Sequence, residues 1–279
     1  MGSFRTSSVF KFTKDFDLLT KIIKNGIIPN YCEEDLGFDS QSFCVGVPLS
    51  SFCDIPITLL DEHTRRYGNY GLALSKEWAI QKGITPIMYI ANDIVLQSVY
   101  YYHKRNQDVL NLLNREDIKK DLVLKTALLG LPLGSYAKLL SAQTEHAINT
   151  HIIGYLKKYA GVYRNSPINN YEENEWRFLV PDEEGTKWFW SKDDYQKWRF
   201  PNGNLNADKP SPSEALKRYT LKFGSEDVSY LLVKNTEFKS RLIAYIKELK
   251  TIGGNAATDD NIEDLISKII TLEQVKKDF

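Results

Sequence analysis

The hydrophobic pattern of this chain changes period twice, and that constrains its fold more than any single motif. Up to about residue 91, short strand-like runs alternate with short helical ones. Residues 9–13 alternate, with Phe10 and Phe12 on one face and Lys11 on the other. Asp15 caps a helix with apolar positions Phe16, Leu19, Ile22 and Ile23, which Gly26 and Pro29 end. From Asn92 to about Lys158 the pattern becomes that of long helices. Ile94, Val95, Val99 and Tyr102 form a stripe that Val109, Leu110, Leu112 and Leu113 extend, and a turn over residues 130–134 precedes a second helix. Strand periodicity then returns. This order predicts an α+β protein, with residues 1–91 and 161–279 as two parts of a mixed-sheet core and residues 92–160 as a helical insertion.

Within the core, strands are predicted over residues 43–47, 72–74, 86–90, 171–180, 219–223, 230–233 and 267–271. Residues 186–190 read as the hairpin partner of 171–180, across the turn 181–185. Helices are expected over 58–67, with Thr58 and Asp61 as a capping box, over 76–82, with Ser75 as its cap, and over 235–249. Thr271 and Gln274 make a second capping box. Residues 201–213 are polar and proline-rich and read as a loop.

Charge narrows the function classes. The chain of 279 residues has 36 Lys plus Arg against 36 Asp plus Glu, which disfavours a basic nucleic-acid coat. By segment, residues 91–160 carry a small positive excess and residues 161–200 a small negative one; nucleic acid stays open as an acceptor molecule or as the ligand of a regulator that uses the basic middle segment. No apolar run reaches the ~18 residues of a membrane span, and the N-terminus lacks an apolar export segment. The expectation is a cytoplasmic protein with reduced Cys32, Cys44 and Cys53. The histidines form no H-x₃-H or H-E-x-x-H pair, so no metal is expected. P-loop, Rossmann and nucleophile-elbow glycine patterns are missing.

The segment 171–180 carries the most chemistry. Period two sends Trp176, Phe178 and Val180 to the core and Glu173, Glu175 and Arg177 to the other face. A carboxylate beside an arginine stays ionised, which suits holding a ribose hydroxyl or steadying an oxocarbenium ion. The alternative is a half-buried strand with a solvated charged face. Lys11 lies on the polar face of the first strand. His63 lies on the apolar face of its helix, where a core histidine and a ligand-binding one look alike. Asp54 is positioned to cap a turn or to hold His63 in one tautomer. Residues 67–71 read as a glycine-dependent turn that brings Tyr70 close to any planar ligand.

Four segments in this order resemble the AbiGi family of abortive phage-infection proteins. They are VFKFTKDFDLLTKIIKNGIIPNYCEED, SFCDIP with His63 and YGNYGLALSKEW after it, NNYEENEWRFLVP, and IITLEQVKKDF. The resemblance implies a role in bacterial phage defence, as the antitoxin of a pair whose toxin is nucleotidyltransferase-like. The order of the core elements also resembles the ADP-ribosyltransferase-like fold, which cleaves the nicotinamide–ribose bond of NAD. That resemblance implies NAD as cofactor, with Glu175 as the late functional glutamate, Glu173 two residues before it and Arg177 orienting it. Tyr70 would stack on nicotinamide, and Lys11, where His or Arg is usual, would contact the ribose. Two functions follow as expectations: an NAD-dependent effector, or a non-catalytic antitoxin that neutralises a cognate toxin or phage protein by binding or regulation.

Overall fold

The structure is a computed structural model that describes residues 6–38, 41–114, 135–163, 166–183, 185–201, 203–204 and 214–278. It opens with β1 (Ser8–Thr13) and α1 (Phe16–Asn25), where Asp15 Oδ1 accepts the Asp17 N–H at 2.8 Å as the N-cap. Gly26, with φ of 91°, ends the helix, and the chain runs into β2 (Asn30–Asp35), β3 (Cys44–Cys53), a 3-10 turn (Ile57–Leu59) and α2 (Leu60–Tyr67). Next come β4 (Tyr70–Ser75), α3 (Lys76–Gln81), β5 (Thr85–Pro86) and β6 (Met88–Ile90). The two long helices are α4 (Asp93–Asn114) and the helix Ser135–Gly154. They are followed by β7 (Leu156–Lys158), β8 (Ala160–Tyr163), β9 (Ser166–Asn169) and β10 (Glu175–Leu179). The last core elements are β11 (Val228–Val233), the helix Thr236–Lys247, β12 (Thr251–Ile252), β13 (Asn255–Ala256), the helix Asp259–Ser267 and β14 (Ile269–Thr271).

The fold is α+β, with a mixed sheet at its centre. Strand order is β14–β11–β4–β1–β3–β10–β5, with β2 on β3; β11 and β14 run parallel, and the other pairs are antiparallel. One junction in this sheet is thin. β1 pairs with β4 through all six residues and β10 with β3 through all five, yet β1 and β3 meet in register only at Phe10 and Cys53. A sheet held at one position between two well-paired halves leaves room for a cleft beside that position.

Helix α1 and the two helices between β11 and β14 bury one face of the sheet, where Leu19, Ile23, Leu72, Leu231, Leu242 and Ile246 form the main core. A second core under β2 and β3 receives the insertion: Leu96 and Ile153 pack there with Val45, Val47 and Trp188. Tyr100 of α4 meets Phe38 and Phe43 edge-on, at 5.6 and 5.2 Å between ring centres. The parallel pair of β6 with β7 ties the entry and exit of the insertion together.

Several local expectations are met by hydrogen bonds. Ser75 caps α3, and Thr271 with Gln274 forms the reciprocal box at 3.1 and 3.2 Å. Others are not. Thr58 and Asp61 form no capping box, because the chain first makes a 3-10 turn and Leu59 is the N-cap; Asp61 faces Arg65 and Lys276 instead. The strand expected over 171–180 begins only at Glu175. Asn170–Glu173 is a 3-10 turn, and Asn174, with φ of 42°, reverses the chain into β10. Residues 186–190 do not pair with β10, since β3 and β5 already occupy both its edges; Phe189 bridges Gly46 of β3. Residues 219–223 contribute a single bridge, Leu221 to Ile27. The turn expected at 130–134 and most of the loop at 201–213 lie outside the described residues.

Gly68 turns α2 into β4 at φ of 113°, with its N–H donated to the Thr64 carbonyl. A Cβ there would sit 2.2 Å from the Thr13 carbonyl oxygen, which is backbone and cannot yield. Gly68→Ala is expected to destabilise the fold by about 2 kcal/mol or more. Thermal denaturation should show Tm lowered by roughly 5 °C.

Candidate functional site

The cleft beside the β1–β3 junction has a volume of about 170 Å³. Phe10, Lys11 and Phe12 of β1 line it, with Ser51 and Cys53 of β3, Glu34 of β2, His63 and Tyr67 of α2, Lys157 of β7, and Glu173 and Glu175. Lys11 and both glutamates therefore reach one cleft. Tyr70 does not line it. Its ring is buried against Phe16 and Phe238, at 5.5 and 5.1 Å, because period two on β4 sends it to the main core. The tyrosine in the cleft is Tyr67.

The charged residues of β10 are not on a solvated face. Arg177 is 0% exposed and Glu173 and Glu175 are each 6% exposed, whereas Trp176 and Phe178 are only half-buried. Both sides of β10 are covered. The side with the charges faces β2, the insertion and its exit strand, and buried charges need partners.

Those partners form one closed network. Glu175 Oε1 accepts from Arg177 Nε at 2.6 Å and from Ser51 Oγ at 2.7 Å; Oε2 accepts from Lys157 Nζ at 2.8 Å and Arg177 Nη2 at 3.2 Å. A carboxylate has about four acceptor directions, and all are taken from within the protein. Lys157 also donates to Glu173 Oε2 at 2.7 Å, while Tyr67 donates to Glu173 Oε1. Arg177 reaches Glu34 Oε2 at 2.8 Å and donates through Nη1 to the Gly154 carbonyl at 2.8 Å. Lys11 donates to the Ser51 carbonyl at 3.0 Å, across the thin junction.

Electrostatics follow from this geometry. Burial raises the Glu175 carboxyl, but Arg177 and then Lys157 outweigh it and hold it at about 2. Glu34 moves the other way, because burial outweighs Arg177. Burial lowers the Lys157 ammonium, and Glu175, Glu34 and Glu173 together more than reverse that, so it stays charged. His63 is pushed down to about 4 by burial, against the pull of Glu173, and its ring packs on Phe12 and Tyr67 at 5.1 and 4.4 Å. It is a neutral wall of the cleft. Asp54 does not hold it; Asp54 pairs with Lys76 at 2.6 Å. Burial raises the Cys53 thiol, keeping it protonated and unreactive.

The model of the AbiGi family, described as that of an abortive phage resistance protein and antitoxin, matches residues 25–234. The chain belongs to the AbiGi family. It is also similar to the abortive phage resistance protein AbiGi of Lactococcus lactis subsp. cremoris, 26% identical over 244 residues that cover 84% of this chain and 89% of that protein. No solved structure matches significantly. The stretch matched by the AbiGi model contains Glu34, Tyr67, Lys157, Glu173, Glu175 and Arg177; Lys11 lies outside it.

In this AbiGi chain the network also has members that the sequence pattern did not single out. Lys157 marks where helical period gives way to strand, and Glu34 sits in the acidic run Glu33–Asp35. Neither position has a local signal, since the partners come from remote elements. Among the described residues, no helix is long and apolar enough to cross a membrane.

Removing one member of a buried ion pair leaves a buried charge uncompensated, at a cost of about 3–5 kcal/mol. Arg177→Met strands Glu175 and Glu34 together, so chemical denaturation should show a loss of that order. The histidines set a pH dependence. His63 binds a proton near pH 6.5 when unfolded and only near 4 when folded, so stability is lost as pH falls from about 6.5 to 4. His103 behaves alike. His63→Phe should flatten part of that slope in denaturation curves taken between pH 7 and 4.

Proposed function

We propose that this AbiGi-family chain serves phage defence as an antitoxin, neutralising a nucleotidyltransferase-like toxin by binding it. The observation that supports binding over catalysis is the closed network around Glu175. Each of its oxygens accepts two hydrogen bonds from Arg177, Lys157 and Ser51. A substrate hydroxyl would have to displace one of them, and in a buried site that leaves a charge or a donor unpaired. The same network ends at Gly154 and Lys157, where the insertion rejoins the sheet, so its role is to hold the helices to the core. Those helices expose apolar side chains at helical spacing: Ile94 and Tyr101 on α4, Ile148 and Ile152 on the second helix. Exposed apolar residues on a rigidly held element suit a protein partner.

A second reading takes its support from the convergence of Lys11, Glu173 and Glu175 on one cleft. In it the core is ADP-ribosyltransferase-like, the cleft holds NAD, and Glu175 stabilises the oxocarbenium ion. The two readings separate in a paired experiment. Under the antitoxin reading, co-expression of the wild-type chain restores growth against the toxin, and labelled NAD transfers no label to protein, RNA or DNA. Ile94→Asp with Tyr101→Asp should abolish the rescue while Tm stays within about 2 °C, as surface changes do. Full rescue by that double variant, or label transfer that Glu175→Gln removes, contradicts the antitoxin reading.

A further inference from the structure

The cleft beside the β1–β3 junction contains one carboxylate that the closed network does not use up. Glu34 Oε2 meets Arg177 at 2.8 Å, and Oε1 takes no hydrogen bond from the described residues. The Glu34 side chain keeps 15% of its surface, against 7% for Glu175, and it lines the cleft. One oxygen with acceptor capacity is therefore open to a molecule that enters there.

Charge, shape and size select that molecule. The network and Lys11 together bring three carboxylates, Glu34, Glu173 and Glu175, against three cations, Lys11, Lys157 and Arg177. A charged ligand breaks that balance in a buried site, whereas a neutral one keeps it. The aromatic side chains Phe10, Phe12, Phe52, His63 and Tyr67 line the cleft, and their flat faces favour a flat ring. A cavity of about 150 Å³ is enough to hold benzene; this one, at about 170 Å³, takes a single ring system. A second cavity of about 410 Å³ adjoins it, sharing His63 and Glu173. Leu59 and Tyr171, 65% and 52% exposed, line this outer space, which gives room for a sugar attached to the ring. Glu172 and Glu173 line it as well, against Arg66, so a phosphate meets more negative than positive charge there.

We infer that this cleft binds the base of a neutral nucleoside, whose exocyclic amino group donates to Glu34 Oε1 while the ring lies against the aromatic walls and the sugar occupies the outer cavity. Burial raises the Glu34 carboxyl, and an amino donor set against it favours the charged form. Glu175 keeps its internal partners throughout, so the nucleoside is held and not cleaved. The site stands or falls independently of the antitoxin reading.

Titration calorimetry on the full chain tests this with adenosine, guanosine and cytidine. Each is set beside the analogue that lacks only the amino group: purine riboside, inosine and pyrimidin-2-one riboside. At least one amino nucleoside should bind, at least about tenfold more tightly than its analogue, because without the donor Glu34 Oε1 is covered and unpaired. Its 5′-monophosphate should bind more weakly than the nucleoside, and NAD more weakly than adenosine. Glu34→Gln keeps the shape and an acceptor oxygen but removes the charge, and should weaken binding by about fivefold or more. A carbon-13 titration of the Glu34 side-chain carboxyl in the wild-type chain needs no variant; its resonance should move as the nucleoside saturates. If none of the three binds, if the analogues bind as tightly, or if the Glu34 resonance stays in place, the cleft is not a nucleoside site. Tighter binding of the monophosphate overturns the neutral ligand, and tighter binding of NAD than of adenosine overturns it in favour of the NAD reading.

Discussion

Arg177 is the interaction on which the rest depends. A guanidinium with no exposed surface persists in a fold only if its donors are met, and here they are met by three elements at once. Its own strand supplies Glu175, β2 supplies Glu34, and the end of the second insertion helix supplies the Gly154 carbonyl. Lys157 then carries the network from Glu175 to Glu173 and so to Tyr67 of α2. Each member is held by the others, so the carboxylates, the insertion and the wall of the cleft keep fixed relative positions.

That arrangement is what the proposed antitoxin reading rests on. Glutamates beside a cleft, with a lysine across it, are what a site for an oxocarbenium ion needs. A catalytic carboxylate must also have an oxygen to offer. In this AbiGi-family chain the oxygens of Glu175 already serve internal donors, and what the network holds in place is a pair of helices with exposed apolar residues. Under the proposed antitoxin reading, recognition falls to the insertion and rigidity to the core.

Much of this was legible in the sequence. The change of hydrophobic period located the long helices, and Asp15, Ser75 and the Thr271–Gln274 box cap helices as their types and spacing require. Glu173, Glu175 and Arg177 were singled out together, and they are together. Their surroundings were misjudged, because a charged strand face in water and a charged strand face buried under other elements have the same period-two pattern. Only the partners distinguish them, and Glu34 and Lys157 are 141 and 18 residues away from Glu175. Tyr70 was misplaced for a related reason: Gly68 and Asn69 separate two tyrosines, and only the direction in which β4 leaves the turn decides that Tyr67 faces the cleft. The start of β10 was misjudged because Asn174 takes a left-handed conformation that asparagine permits but does not announce.

The most direct test of Glu175 as a closed structural charge is a carbon-13 NMR titration of its side-chain carboxyl in the folded protein. Held by Arg177 and Lys157, it should stay ionised from pH 7 down to about 3, with a midpoint near 2, and saturating NAD should leave its resonance unmoved. A midpoint at or above the ordinary glutamate value of about 4.3, or a resonance that shifts when NAD is added, would show that the carboxylate is open to substrate and contradict the structural role.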